Sequence, residues 1–101
     1  MKGILPVGVA FAGGVHREFE LRPELVEDVV EVYGDPARGA RAEKNKVYAG
    51  VCLLARRLVK LGDIPAADIT PELLMKMDTN DFTAMREADA RGALLPGQEG
   101  A

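Results

Sequence analysis

Over the first fifth of the chain, apolar residues recur every second position. Val7, Val9 and Phe11 alternate with small residues, and Ala12-Gly13-Gly14 offers the positive φ angles of a tight turn. A return strand follows, with Val15, Phe19 and Leu21 on one face and His16, Glu18 and Glu20 on the other. Arg17 interrupts the apolar face. A lone two-stranded hairpin is marginal in water, so this one is expected to pack on helices.

The period then changes. Arg22-Pro23-Glu24 places a proline in a first-turn position, with Glu24, Glu27 and Asp28 near the positive end of the helix dipole. Leu25, Val29 and Val32 form one stripe, Val26, Val30 and Tyr33 lie alongside it, and Gly34-Asp35-Pro36 ends the helix. Its many β-branched residues leave a strand reading of residues 29–33 open. A second helix is predicted to begin between Pro36 and Glu43. In it Val47, Val51, Leu54, Leu58 and Leu61 recur at helical spacing, and Gly62 serves as the left-handed residue after its end. Thr70-Pro71-Glu72 caps a short third helix through Met77, and Asp78 to Asp81 caps a fourth carrying Phe82 and Met85 and ending near Arg91-Gly92. Asp89 is expected to face solvent. The fold class is therefore α+β, an N-terminal β-hairpin packed on three to four α-helices. Residues 1–92 form a single domain and residues 93–101 a flexible C-terminal tail.

Composition narrows the kind of core. With aromatic residues at 5% and no Trp, the interior must be aliphatic and Met-filled. Charge is uneven: residues 24–35 carry five acids and no base, and residues 62–101 carry eight acids against three bases. Between them, residues 36–61 carry seven bases (Arg38, Arg41, Lys44, Lys46, Arg56, Arg57, Lys60) against Glu43 alone. Mutual neutralisation within one fold is the simpler reading, and a basic binding face is the sharper one. The net charge of −3 argues against a general nucleic-acid binder. The apolar stretch from Ile4 to Ala12 is broken by Pro6 and Gly8, unlike a signal peptide, and no apolar run approaches the roughly 20 residues that span a bilayer. The cytoplasm is the expected compartment.

Catalytic chemistry finds no support. His16 has no histidine or cysteine near it in sequence and reads as a surface residue; Cys52, the only cysteine, borders an apolar stripe and reads as a buried thiol. Gly13-Gly14 has no phosphate-loop spacing, and Asp78, Asp81, Glu87 and Asp89 do not match a calcium loop. No catalytic residue, cofactor or metal site is expected. What remains is an apolar surplus in the last third. Leu73, Leu74, Met75, Met77, Phe82 and Met85 either complete the core or form a partner-binding surface, to which adaptable Met side chains are suited.

The order of segments adds to this. The hairpin runs into Phe19-Glu20-Leu21-Arg22-Pro23-Glu24-Leu25-Val26-Glu27-Asp28. Later come Leu58-Val59-Lys60-Leu61-Gly62-Asp63-Ile64, Ile69-Thr70-Pro71-Glu72-Leu73-Leu74 and Met77-Asp78-Thr79-Asn80-Asp81-Phe82. Over most of residues 7–91 this arrangement resembles the tail assembly chaperones of Mu-like, contractile-tailed bacteriophages and prophages. The resemblance implies a role in tail morphogenesis: binding the long helical tape measure protein, keeping it soluble, and helping tail tube subunits polymerise around it in the host cytoplasm. It carries over no catalytic residues. The alternative, from a different class, is a small DNA-binding regulator using Arg38, Arg41, Lys44 and Lys46 on the basic second helix.

Overall fold

The computed structural model describes residues 1–100, with side chains described as far as residue 90. The elements run β1 (Lys2–Phe11), β2 (Gly14–Leu21), α1 (Val26–Tyr33), α2 (Gly39–Lys44), α3 (Lys46–Arg57), β3 (Leu58–Leu61), a 3-10 turn (Ala66–Asp68), α4 (Pro71–Leu74) and α5 (Thr79–Gly100). The class is α+β, with the N-terminal hairpin packed on helices as expected. The tail expected over residues 93–101 lies outside the residues whose side chains are described.

Ala12 and Gly13, both at positive φ, close the hairpin. β1 and β2 pair antiparallel from Lys2↔Glu20 to Phe11↔Gly14, but the register shifts between Ile4 and Val9. Pro6 has no N–H for the ladder, and Gly8 sits at φ 103, a conformation that a β-carbon disfavours. Arg17 spans the interruption: its Nε donates to the Leu5 carbonyl at 2.8 Å and its Nη2 to that of Pro6 at 3.3 Å. The charge that breaks the apolar face thus repairs backbone bonding. The N–H groups of Val7 and Gly8, which the bulge turns away from β2, both donate at 2.8 Å to the carboxylate of Asp81 at the start of α5.

The long second helix of the sequence reading is divided in three. Asn45 is extended and its Oδ1 accepts the Tyr48 N–H at 3.1 Å, so it ends α2 and caps α3. At the other end Leu58 leaves helical geometry with ψ 111, and residues Leu58–Leu61 pair with β2 as a third strand, in the order β1-β2-β3. Leu58 and Leu61 are buried as expected, but from a strand. A register shift opposite Glu20 and Leu21 puts them three residues apart on the same face. Gly62 has the expected positive φ, after a strand rather than a helix. Val47, placed in the core stripe, is 63% exposed because α3 begins only at Lys46 and turns that side outward.

Two apolar clusters result, with α3 as the wall between them. Val51 and Leu54 face the larger cluster, where Leu5, Phe19, Leu21 and Leu61 of the sheet meet Leu74, Met85 and Ala88. Tyr48, Ala49 and Cys52 face the smaller cluster, closed by Val32 of α1 and Ala42 of α2. The strand reading of residues 29–33 does not hold, since they are helical. Pro23 precedes α1 rather than opening it, and Leu25 stands at the cap position. Gly39 is required by proximity: a β-carbon there would lie 2.3 Å from the Tyr33 carbonyl oxygen, where α2 crosses the end of α1.

Removing the Asp81 carboxylate strands two backbone donors. Asp81→Ala is expected to lower unfolding stability by about 2–4 kcal/mol, read from the urea midpoint. A loss below about 0.5 kcal/mol, the scale of an ordinary surface change, would mean that Asp81 is only a helix cap.

Candidate functional site

The six residues proposed as a partner surface do not share one. Leu74 and Met85 are fully buried, while Leu73, Met77 and Phe82 are half-buried against the larger cluster. Only Met75 is exposed, at 46%. The reason lies in α4, which is one turn long: Thr70 Oγ1 caps it at 3.2 Å, and the chain then wraps beneath the sheet instead of presenting a face. A core this poor in aromatic rings draws in the aliphatic surplus.

Exposed apolar side chains lie elsewhere, on the sheet at Ile4, Val7, Val15 and Val59 and, most closely spaced, along α1. α1 buries Asp28 and Val32 and turns Val26 (82% exposed), Val30 and Tyr33 outward at i, i+4 and i+7, with Leu25 beside them and Val47 exposed at the start of α3. The signal was present in the sequence, because α1 is apolar on two flanks and one short helix needs only one. Beside this face a groove of about 240 Å³ separates α3 from α5. Val47, Gly50, Leu53 and Leu54 line it from α3 and Phe82 from α5, with Glu24, Lys46, Arg57, Arg86 and Asp89 also lining it.

Elsewhere, cations and carboxylates are drawn together. Asp28, fully buried, accepts from Arg22 Nη2 at 2.6 Å and Nη1 at 2.8 Å, from Arg56 Nε at 3.0 Å and from the Leu25 N–H at 2.8 Å. The Arg22 hydrogen bond, helped by Leu25 and Arg56, holds this carboxyl far below the usual carboxylate range despite burial. Arg57, also buried, pairs through both Nη atoms with Asp89 at 2.7 and 3.0 Å and donates from Nε to the Arg22 carbonyl at 3.0 Å. Asp89, whose side chain stays 36% exposed, therefore anchors α5 as well as meeting solvent, and Arg57 lowers its pKa. Of the bases weighed for nucleic acid, Arg38 alone is held by carboxylates among the described residues. Arg38 grips Glu72 at 2.6 Å and Asp35 at 3.3 Å, Arg41 stacks 4.2 Å over the Tyr48 ring, and Lys46 lies 5.9 Å over that of Tyr33. Arg38 in turn depresses the Glu72 carboxyl, and its own pKa is raised by the pairing.

His16 is less free than a surface residue. Its Nδ1 accepts the Asp63 N–H at 3.1 Å, which leaves Nε2 to donate to the Phe11 carbonyl at 3.3 Å and ties the hairpin end to the turn after β3. Cys52 lies in the helical cluster, where burial pushes its thiol pKa up. The two line separate cavities, one bordered by Gly62 and Asp63 and the other by Val32 and Ile69, so a cysteine–histidine pair is not assembled. Among the described residues, no three of His, Cys, Asp or Glu are grouped to hold a metal ion, and no helix is long and apolar enough to cross a membrane. No protein-family model, no curated protein and no solved structure matches the chain.

Two outcomes follow from this placement. Leu74→Ser is expected to cost about 3 kcal/mol or more by emptying a core position, whereas Met75→Ser should stay within about 0.5 kcal/mol; equal effects in urea titrations would contradict the burial. The folded-state pKa of Asp28 lies below its unfolded value, so its contribution is complete above about pH 4 and is lost as the pH falls through the carboxylate range. The thermal midpoint should drop on acidification below about pH 4. Asp28→Asn should start from a lower midpoint at neutral pH and show a shallower acid limb, with Glu72 and Asp89 supplying the remainder. An acid limb as steep as that of the unaltered chain would assign the effect to other carboxylates.

Proposed function

We propose that this chain is a phage tail assembly chaperone of the Mu-like, contractile-tailed kind, which binds the helical tape measure protein during tail morphogenesis in the host cytoplasm. It acts by binding alone. The observation that carries the reading is the run of exposed apolar side chains along the α1 region, Leu25, Val26, Val30 and Tyr33, with Val47 exposed at the start of α3. Proteins that work alone seldom concentrate such residues, and a face of this kind suits the apolar stripe of a partner helix. The resemblance in segment order over residues 7–91 supports the same partner class. So does the pairing of Arg38, Arg56, Arg57 and Lys60 with carboxylates of the same chain, which takes four of the seven bases of the basic stretch away from DNA.

A long helical protein made without its assembly partners exposes apolar faces that associate with one another. A small acidic protein that covers those faces reversibly keeps the client soluble and, at net charge −3, keeps the complexes apart. Tail tube subunits can then displace it as they polymerise.

Co-expression with a tape measure protein, followed by affinity purification and sizing, is expected to give a soluble complex of defined stoichiometry. The double substitution Val26→Ser, Val30→Ser, both at exposed positions, should reduce recovery of that complex at least about tenfold with little change in thermal midpoint. An insoluble client and a chaperone eluting alone would overturn the proposal, and salt-sensitive retention on DNA would then favour the regulator reading.

A further inference from the structure

The groove between α3 and α5 has the length and charge of a seat for one helix. From Lys46 to Arg57, α3 rises about 16 Å, three helical turns. Across from it stand Phe82, Arg86 and Asp89, at i, i+4 and i+7 on α5. The two helices run side by side in the same direction. Gly50 faces Phe82, and seven residues further along each helix Arg57 meets Asp89. Gly50 keeps the floor open: a β-carbon there would have only Phe82 Cζ near it, at 3.8 Å. Val47, Leu53 and Phe82 provide apolar wall on both sides of that opening.

The charges around the groove are unequal. Arg57 is satisfied by Asp89, with Glu24 at 4.0 Å, so that end carries one net negative charge. Lys46 and Arg86 have no carboxylate partner among the described residues; each lies over an aromatic ring, Tyr33 and Phe82 respectively. A cation held over a ring keeps its remaining donors pointed at solvent, ready for a carboxylate. The rim therefore has positive charge left over on a chain that is acidic as a whole.

We infer that this groove seats one amphipathic helix of the client, apolar face inward, with acidic side chains flanking that face and meeting Lys46 and Arg86. The identity of the client rests on the chaperone reading; the seat and its charge preference do not. Residues at i, i+3 or i+4, and i+7 of the incoming helix fill the space over Gly50 between Val47, Leu53 and Phe82. The carboxylates add selectivity for an acid-flanked helix over a base-flanked one.

The test uses two designed, fluorescein-labelled helical peptides that share one leucine stripe, one flanked by Glu and the other by Lys, titrated against the full chain by anisotropy at low ionic strength. The Glu peptide should bind about tenfold more tightly than its Lys twin. Lys46→Glu with Arg86→Glu should reverse the order at a nearly unchanged thermal midpoint, and Gly50→Leu should weaken both peptides at a midpoint no lower than that of the unaltered chain. Equal affinities, no binding, or an unchanged order in the double variant would overturn the inference. So would a free chain that sediments as a dimer and dissociates on Gly50→Leu, because the occupant would then be a second copy. The two proposals fail separately. A tape measure complex indifferent to the charge reversal leaves the chaperone reading standing without this seat, and peptide binding as described with no tape measure complex leaves the seat without that client.

Discussion

The first strand cannot form an uninterrupted ladder, because Pro6 lacks a donor and the bulge at Gly8 turns two consecutive N–H groups away from β2. Left unpaired next to the core, those groups would oppose folding of the hairpin against the helices. Asp81 receives both, from the first turn of the last long helix and across 74 and 73 residues of chain. That one carboxylate fixes where α5 crosses β1, and with it the positions of Met85 and Ala88 beneath the sheet. The larger cluster is thereby closed by its two chain-distant edges.

A second set of charges orients the remaining helices. Asp28 gathers Arg22 from the strand exit and Arg56 from α3, while Arg57 ties the Arg22 carbonyl to Asp89 of α5. Buried ion pairs contribute little net stability when complete but cost several kcal/mol when one partner is lost, so their main effect is on arrangement. Here they meet where strand, helix and C-terminal helix converge, with no buried side-chain polar atom left without a partner among the described residues. The acidic, basic and acidic thirds of the sequence neutralise one another in part, and Arg41, Lys44, Lys46 and Arg86 have no carboxylate partner among the described residues.

Much of the fold was legible because its signals are local. The Ala12-Gly13 turn, the Thr70 cap and the Gly62 positive φ are each set by residues within a few positions, and each appears where expected. The run Val51, Leu54, Leu58, Leu61 misled for a physical reason. A helix buries every third or fourth residue, and a strand with a shifted register can bury two residues three apart, so the same spacing serves α3 and then β3. Asn45 was the local clue to the break before α3, as a residue that favours caps. Asp81 and Asp89 gave no such clue. Each lies near a helix start or on a polar face, and the partners that define their roles are tens of residues away.

The burial of the last third was hidden by the same limit. Counting apolar residues in the last third showed a surplus but not how much volume the sheet left unfilled, and a sheet with few rings left enough to take Leu74 and Met85 whole. Part of the surplus that stays outside is on the sheet, at Ile4, Val7, Val15 and Val59, and part is on α1, where a short helix with valines on two flanks can bury only one of them. Filling a core with long C-terminal side chains and exposing β-branched ones near the N-terminus are therefore a single consequence of how the layers stack. Valine suits an exposed docking face: it has one rotatable bond and little rotamer entropy to lose when a partner covers it, whereas an exposed methionine loses more. Under the chaperone reading proposed above, a surface built from Val26, Val30 and Val47 is stiff before binding, so its shape is already set by the fold.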